Sequence, residues 1–213
     1  MKTFIEIGAG RGLGNAVARK FASEGYKVVL MSRSLENLKN YQNEFKEQGF
    51  DVDIQVVDAL NPDSISESLK KLSKKYDDIQ VVHYNVGVTE PDSHLNGNIQ
   101  RMLQRYQVDV LGAYQVIDFF TNSSFVEKNG AILITGGGYA LYPTSDYLTL
   151  SMDKAALRAM VLAEHDKWQS QGVFIGTVTV TNAIGFVQGY EPDTIAEKFY
   201  ELTQNRSTAE IIY

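Results

Sequence analysis

Thr3-Phe4-Ile5-Glu6-Ile7, followed at once by Gly8-Ala9-Gly10-Arg11-Gly12-Leu13-Gly14, is the stretch of the chain that decides its fold. The first five residues predict a buried β-strand, and the segment after Gly14 has the apolar spacing of a helix. A glycine turn between a strand and a helix leaves backbone N–H groups and the positive end of the helix dipole free to attract an anion. Glycine also lets the backbone turn tightly and approach a ligand closely. The stretch therefore predicts a pyrophosphate-binding turn at the start of an α/β domain.

The rest of the chain alternates short apolar runs with longer segments of helical period. This alternation is typical of βαβ units, and continuous apolar runs are expected in a parallel sheet that helices cover on both faces. Ser34, Pro62 and Pro192 indicate helix starts. The predicted strands are residues 3–7, 27–32, 52–57, 79–85, 131–135, 173–180 and 209–212. We predict a single α/β domain over residues 1–213, a Rossmann-type doubly wound sheet of seven parallel strands with helices on both faces.

Length and composition limit the classes of function. The 213 residues, 44% of them hydrophobic, are enough for one sizeable core and too few for two full domains. A net charge of −6 disfavours binding to nucleic acid or to an anionic membrane. The chain has no cysteine, and its three histidines have no partner at ligand spacing, so we expect no metal site. The run 3–7 is broken by Glu6 and predicts no secretory leader, which favours the cytoplasm.

The register of the glycines separates two kinds of dinucleotide-binding turn. The spacing Gly-x-Gly-x-x-Gly fails, because its third glycine would fall on Leu13, whereas Gly-x-x-x-Gly-x-Gly fits at Gly8, Gly12 and Gly14. With this spacing the chain resembles the short-chain dehydrogenase/reductase family. The residues of the turn to which the resemblance assigns cofactor binding are Gly8, Gly10, Arg11, Gly12, Leu13 and Gly14.

The end of the second predicted strand distinguishes NAD from NADP. An acidic residue there would bind the ribose diol and repel a 2′-phosphate, but the sequence reads Ser32-Arg33. The guanidinium of Arg33 matches phosphate geometry, and Arg11 adds a second cation from the glycine turn. Each arginine taken singly could equally be an ordinary solvated charge. Two arginines at these two places, without an acid, favour NADP(H) as the cofactor.

Further matches to the family continue along the chain. Asp58 and Ala59 match the place where the family holds the adenine ring, and Asn85 and Gly87 match its Asn-Asn-Ala-Gly turn. Lys154 matches the lysine of Tyr-x-x-x-Lys, which holds the nicotinamide ribose. The resemblance implies an oxidoreductase that acts on a small molecule. It also implies a homodimer or homotetramer, paired through the predicted long helices at residues 102–120 and 154–168.

Most of the residues that move protons in this family are absent. The position four residues before Lys154 is Leu150, which has no ionisable group. The expected serine falls in Thr135-Gly136-Gly137-Gly138, so its hydroxyl is lost unless Thr135 replaces it. The asparagine position is occupied by Asp109. Of the four residues, Lys154 alone remains in place.

Tyr147 is the candidate substitute for the missing tyrosine. It lies seven residues before Lys154, on nearly the same helical face, with the α-carbons about 10 Å apart along the axis. The capping residues at 143–146 predict that Tyr147 lies in the first turn of the helix. A tyrosine that only packs at a helix start is the commoner case. We expect one of two functions: an oxidoreductase of a small carbonyl or similar reducible substrate, with Lys154 and Tyr147 as catalytic residues, or a non-catalytic NADP(H)-binding sensor or scaffold protein.

Overall fold

A seven-stranded parallel sheet forms the centre of the computed structural model, which describes residues 1–95, 97–123 and 129–213. The strand order is β3-β2-β1-β4-β5-β6-β7, and all six pairings are parallel. The strands are β1 (Thr3–Ile7), β2 (Lys27–Ser32), β3 (Val52–Val56), β4 (Ile79–Tyr84), β5 (Ala131–Gly137), β6 (Phe174–Val180) and β7 (Glu210–Ile212). The predicted doubly wound Rossmann-type fold is confirmed.

The predicted strand limits agree closely with the structure. β1 and β2 have the predicted bounds, and β3, β4, β6 and β7 differ from prediction by one residue at one end. β5 is two residues longer than predicted, because Gly136 and Gly137 remain paired with Thr179 and Val180 of β6. The glycines that end β5 therefore belong to the sheet and not to a loop.

Helices cross between the strands on both faces of the sheet. They are α1 (Leu13–Ser23), α2 (Leu35–Glu47), α3 (Pro62–Lys75), α4 (Ile99–Tyr106), α5 (Gly112–Thr121), α6 (Leu148–Gln169) and α7 (Pro192–Gln204). The predicted helix starts are confirmed: Ser34 accepts a hydrogen bond from Asn37 N at 3.2 Å, and Pro62 and Pro192 are the first residues of α3 and α7. No helix of the described residues is long and apolar enough to cross a membrane.

The helix predicted at residues 102–120 is not regular, and that prediction needs correction. α4 ends at Tyr106, α5 begins at Gly112, and the residues between them, Gln107–Leu111, form a π-helical turn. Such turns carry one extra residue within the helix and occur often at functional sites. Here the π-helical turn carries Asp109, which is fully buried.

Two apolar layers enclose the sheet. One face of the sheet packs against α1, α2 and α7, and the other against α3, α5 and α6. Adjacent residues of β1 contribute to different layers, Phe4 to the first and Ile5 to the second. Burial on both faces explains why the strands read as continuous apolar runs.

Candidate functional site

A cavity of about 250 Å³ lies at the carboxyl ends of the central strands. The chain order of the sheet reverses between β1 and β4, and open α/β sheets bind their ligands at such a point. Seven residues predicted to bind the cofactor line this cavity: Gly8, Ser32, Arg33, Asp58, Ala59, Asn85 and Gly87. Its remaining lining residues are Ala9, Val57, Val86, Val88 and Val108. The fold thus brings together residues from four separate strand ends.

The glycines of the turn after β1 have two different roles: close packing of the backbone and open space in front of the helix. Gly8 has a φ of +108°, and a Cβ there would lie 2.7–2.9 Å from the backbone of Asn85 and Val86. A Cβ at Gly14 would lie 2.6 Å from the carbonyl oxygen of Gly8. A Cβ at Gly12, by contrast, would meet no atom within 4 Å. Gly8 and Gly14 are therefore required by packing, and Gly12 leaves open space in front of α1.

The start of α1 suits an anion. Gly12 is its N-cap residue, no side chain of the described residues caps it, and its first turn carries no acid. Uncapped N–H groups at a helix start attract phosphate. The predicted residues Gly10, Arg11, Gly12, Leu13 and Gly14 surround this helix start and do not line the cavity itself. The residues present fit a dinucleotide pyrophosphate.

The end of β2 carries a cation and no acid. Arg33 is exposed and lines the cavity beside Ser32, and Arg11 is exposed in the glycine turn. The carboxylate of Asp58, which lines the same cavity, accepts a hydrogen bond from Leu60 N at 3.0 Å. This hydrogen bond organises the turn after β3.

Lys154 lies at the edge of the cavity. Its Nζ donates a hydrogen bond to the carbonyl oxygen of Thr135 at 2.9 Å, and a Cβ on Gly87, which lines the cavity, would lie 3.9 Å from this Nζ. Burial lowers the pKa of Lys154, although the nearby charges of Asp109 and Asp153 act in the opposite direction. The structure therefore places Lys154 beside the predicted cofactor residues.

The positions of the expected serine and tyrosine carry no free hydroxyl. Leu150 is buried in α6. Gly137, thirteen residues before it, packs along the stem of Lys154. The hydroxyl of Thr135 donates to Asn85 Oδ1 at 2.8 Å and lies 2.9 Å from Nε2 of His83. It is therefore engaged inside the protein and does not replace the missing serine.

A network of buried, hydrogen-bonded polar side chains beneath the glycine turn was not predicted from the sequence. His83 lies 2.7 Å from a carboxyl oxygen of Glu6 and continues through Thr135 to Asn85, whose amide donates to the carbonyl oxygen of Gly8 at 3.3 Å. Glu6 and His83 are directly paired in the register of β1 and β4. The signal in the sequence was Glu6 and His83 themselves, each an ionisable residue inside a mainly apolar strand.

Burial sets the protonation of this pair. It raises the pKa of Glu6 well above its ordinary range and lowers the pKa of His83 to about 3. A neutral carboxyl can then donate to Nδ1 of His83, and the imidazole N–H to Thr135. Thr135 then donates to Asn85, and Asn85 donates to Gly8. The hydrogen bonds of this network therefore all point in one direction, from Glu6 to Gly8.

The predicted cap of α6 is wrong. No side chain from residues 143–146 caps this helix, and Tyr147 precedes its first turn as the N-cap residue. Instead, a carboxyl oxygen of Asp92, from the loop after β4, accepts a hydrogen bond from Thr149 N at 2.9 Å. Asp92 is held in turn by Arg105 of α4 at 3.1 Å. A tertiary contact, invisible in the local sequence, caps the helix.

The ring of Tyr147 stacks on the ring of Tyr139, with centroids 5.1 Å apart and planes inclined by 17°. Tyr147 is partly exposed, and no hydrogen bond joins it to Lys154 within the described chain. Its catalytic role stays a prediction. Among the described residues, no three acidic or histidine side chains form a group that could hold a metal ion.

A model of the family described as short chain dehydrogenase matches residues 2–184. The chain belongs to the short-chain dehydrogenase family. The predicted family is thereby confirmed.

Individual relatives of this short-chain dehydrogenase are distant. The 17-beta-hydroxysteroid dehydrogenase 13 of Rattus norvegicus is 26% identical over 132 residues, which are 62% of this chain and 44% of that protein. The 3-oxoacyl-[acyl-carrier-protein] reductase FabG of Thermotoga maritima is 23% identical over 205 residues, 96% of this chain and 82% of that protein. The chain spans about half the length of the first curated mammalian relatives that it matches.

Solved structures share the fold over the whole chain. An alcohol dehydrogenase from the archaeon Thermococcus sibiricus, solved in complex with 5-hydroxy-NADP, is 24% identical. Its TM-score is 0.86, and the match covers 100% of this chain and 96% of that one. The likeness establishes a common architecture.

Proposed function

We propose that this short-chain dehydrogenase is an NADP(H)-dependent oxidoreductase with a non-standard active site, acting on a small carbonyl or similarly reducible substrate. One observation carries the proposal: the cavity that Ser32 and Arg33 line without an acid at the end of β2 extends to Gly87, next to the buried ammonium of Lys154. The first feature fits a 2′-phosphate, and the second is consistent with a cation that holds the nicotinamide ribose.

Each part of the site has a separate task in holding the cofactor. The uncapped start of α1 would hold the pyrophosphate, and Arg33 with the exposed Arg11 would hold the 2′-phosphate. Asp58 and Ala59, which line the cavity, would lie beside the adenine. Asn85 and Gly87 form the wall that leads to Lys154, whose ammonium would hold the ribose hydroxyls. When bound, NADP(H) supplies or accepts the hydride.

The proton must come from a residue other than the family's tyrosine. We assign this step to Tyr147, whose phenol would act on the substrate oxygen while Lys154 stabilises the phenolate. Tyr147 stands at the start of α6, the helix that carries Lys154. The partly exposed, stacked position of its ring leaves it accessible to a substrate.

The assembly and location that we propose are a homodimer or homotetramer in the cytoplasm. Exposed apolar side chains follow α4, the π-helical turn and α5: Ile99, Leu103, Tyr106, Leu111 and Tyr114. Contiguous apolar surface of this kind is typical of a protein interface.

The cofactor assignment is tested by titrating the protein with NADPH and NADH and following its intrinsic fluorescence. We expect tighter binding of NADPH, and we expect Arg33→Ala to lose most of this preference, because the guanidinium contacts only the 2′-phosphate. Arg19→Ala, at an arginine of α1 outside the cavity, is the control. Equal dissociation constants for the two cofactors would overturn the assignment, as would an unchanged preference in Arg33→Ala.

Catalysis is tested by following NADPH oxidation with a panel of small aldehydes, ketones and quinones. Steady turnover with any member supports the oxidoreductase. Tight NADPH binding without turnover across the panel would instead favour the sensor or scaffold protein. The buried Leu150 at the tyrosine position is the observation on which that second function rests.

A further inference from the structure

Two buried carboxyl groups lie next to Lys154, and the proposed mechanism uses neither. Asp109 in the π-helical turn is 0% exposed, and Asp153, directly before Lys154 in α6, is 2% exposed. One oxygen of Asp109 accepts a hydrogen bond from Val88 N at 2.8 Å. Val88 also lines the cavity, so Asp109 is hydrogen-bonded to a residue of the cavity wall.

Three polar atoms in this region have no hydrogen-bond partner among the described residues. They are Oδ2 of Asp109, Oδ2 of Asp153 and Oγ1 of Thr149. Thr149 and Asp153 are four residues apart in α6 and therefore share a face of that helix. A buried carboxylate with an unpaired oxygen is costly, and a proton on one of the two groups removes much of that cost. Three such atoms are also suitable surroundings for an internal water molecule.

Charged groups from three elements surround the two carboxyl groups. Arg105 approaches from α4, Asp92 from the loop after β4, and Lys154 from α6. Tyr84 of β4 also faces Asp109, and its hydroxyl donates to the carbonyl oxygen of Val108 at 2.5 Å. Arg105 is occupied by Asp92 and by the carbonyl oxygen of Glu90, so it does not neutralise either buried carboxyl group by a direct bond.

The protonation of the two groups agrees with this arrangement. Burial raises the pKa of Asp109 to about 6, against the opposing charges of Lys154 and Arg105. Burial, and then the negative charge of Asp109, raises the pKa of Asp153 to about 7. Because the charge of Asp109 acts on Asp153, the two carboxyl groups titrate as a coupled pair, and a proton is still partly bound near pH 7.

We propose that Asp153 and Asp109 form a buried carboxyl pair that holds one proton beside Lys154 and returns it to this lysine after each turnover. The proposal rests on the proposed reductase function, because it describes the proton supply of the same site. Asp153 and Asp109 are positioning residues in this scheme: they act on Lys154 and do not contact the substrate.

The proton moves in balanced steps. In the reductive direction the O–H bond of Tyr147 breaks as the substrate oxygen gains its proton, and one N–H bond of the Lys154 ammonium then breaks to restore the phenol. The O–H bond of Asp153 then breaks and the N–H bond of Lys154 forms again, with internal water at the three unpaired oxygen atoms as the path. The carboxylate of Asp153 regains its proton from solvent, and no redox partner other than NADP(H) is needed.

Infrared spectroscopy of the wild-type protein without cofactor gives the first test. Labelling aspartate with carbon-13 moves its C=O stretch away from that of the buried Glu6. We expect a protonated-aspartate signal that disappears between about pH 5 and pH 8, the range in which the pair titrates. Absence of that signal at pH 6 would overturn the proposal and requires no variant to fold.

The second test compares Asp153→Asn and Asp109→Asn with Asp146→Asn, which changes an exposed aspartate just before α6. Asp153→Asn should lose the part of the signal that titrates near pH 7 and keep the part that belongs to Asp109. Asp109→Asn should keep a signal that titrates at lower pH than in the wild type, and the control should leave the whole signal unchanged. An unchanged signal in Asp153→Asn overturns the proposal. Thermal unfolding of each variant verifies that the comparison is made on folded protein.

The pH profile of turnover links the pair to Lys154. Both carboxylates raise the pKa of this lysine, so removal of one negative charge should make Lys154 lose its proton at lower pH. The alkaline limb of the profile in Asp153→Asn should move to lower pH by on the order of one unit. A lower turnover rate with the alkaline limb of the pH profile at unchanged pH would indicate a merely structural role and overturn the proposal. If the wild-type protein neither binds NADPH nor turns it over, the proposed function fails, and the infrared signal still decides whether the pair exists.

Discussion

The stem of Lys154 packs along Gly137 on its way to the carbonyl oxygen of Thr135. A Cβ at position 137 would lie 3.4 Å from three carbon atoms of that stem, which is about van der Waals contact, so Gly137 lies directly against the lysine. The position at which the family's serine is expected and the side chain of Lys154 are therefore direct neighbours.

Replacement of the phenol of Tyr147 tests its proposed role. Tyr147→Phe should lower turnover on the order of 100- to 10 000-fold, the usual contribution of a positioned general acid. NADPH affinity should not change, because the ring stacks on Tyr139 and its hydroxyl does not hold the cofactor. Steady-state kinetics and fluorescence titration measure the two effects. Tyr142→Phe, at an exposed tyrosine of the same loop, is the matched control, and a turnover of Tyr147→Phe within a few-fold of wild type would exclude the role.

The Glu6 and His83 pair should make stability depend on pH. The raised pKa of Glu6 stabilises the fold below its unfolded value of 4.5, and this contribution is lost as the pH rises. The lowered pKa of His83 acts in the opposite sense: its contribution is present above 6.5 and is lost as the pH falls towards about 3. Above pH 4.5 the two slopes oppose each other, because one extra proton on Glu6 balances one missing from His83.

Above pH 6.5 His83 is neutral in both the folded and the unfolded state, so only Glu6 of this pair contributes to the slope. Glu6→Gln removes the ionisable group and preserves its shape. The free energy of unfolding should therefore fall less steeply as the pH rises from 6.5, by up to about 1.4 kcal/mol per pH unit for as long as Glu6 keeps its proton in the folded wild type. Urea denaturation at several pH values measures this slope. Asp146→Asn should leave it unchanged, and an identical slope in Glu6→Gln and wild type would show that Glu6 is ionised in the folded protein.

At the scale of elements, different glycines of the turn between β1 and α1 are expected to contribute to stability and to cofactor binding. Gly8→Ala puts a methyl group into the backbone of Asn85 at a φ of +108°, and should lower the free energy of unfolding by about 2 kcal/mol or more. Gly12→Ala puts its methyl group into open space and should leave stability nearly unchanged. Its NADPH affinity should nevertheless fall, because the methyl group stands where the pyrophosphate would approach.

Denaturant melts and NADPH titrations of the two glycine variants provide the comparison. Normal NADPH binding by Gly12→Ala would remove this turn from the proposed cofactor site. Normal stability of Gly8→Ala would show that the turn can relax around the added Cβ. Both substitutions lie in the same turn, so each variant serves as the control of the other.

The start of α6 depends on a different kind of contact. Its first turn is held by Asp92 and Arg105, which come from the loop after β4 and from α4. The positions of Tyr147, Asp153 and Lys154 all depend on the residue at which this helix begins. The proton chemistry proposed for the site therefore rests on the packing of α4 against α6.

At the scale of the whole molecule, exposed apolar residues of α4 and α5 predict self-association. Leu103 is 56% exposed in the middle of this surface. If the wild-type protein is the oligomer that we propose, Leu103→Asp should convert it to a monomer, because burying an unpaired charge in an apolar interface is unfavourable. Analytical ultracentrifugation measures the mass. Leu35→Asp, at a leucine of α2 that is 48% exposed, should leave the mass unchanged, and a monomeric wild-type protein would contradict the prediction.

Local patterns were sufficient to predict the strands, the starts of α2, α3 and α7, and seven of the twelve residues that line the cavity. Most of the seven parallel strands are readable because they are apolar runs. Gly8, Arg33, Asn85 and Gly87 are identifiable because strand ends in this fold meet at one edge. The irregular π-helical turn at Asp109 was not predicted, since it depends on packing against the turn after β4 and not on helix propensity.

The sequence by itself determined the sheet, the glycine turn, the absence of an acid beside Arg33 and the leucine in place of the tyrosine, because all of these are properties of short segments. Only the tertiary structure decided which polar residues act together. Glu6 and His83 are 77 residues apart and meet because β1 pairs with β4. Asp109 and Asp153 act on the charge of Lys154 because α6 packs on the π-helical turn. Burial at those meeting points changes the charge of the side chains, and burial is a property of the whole fold.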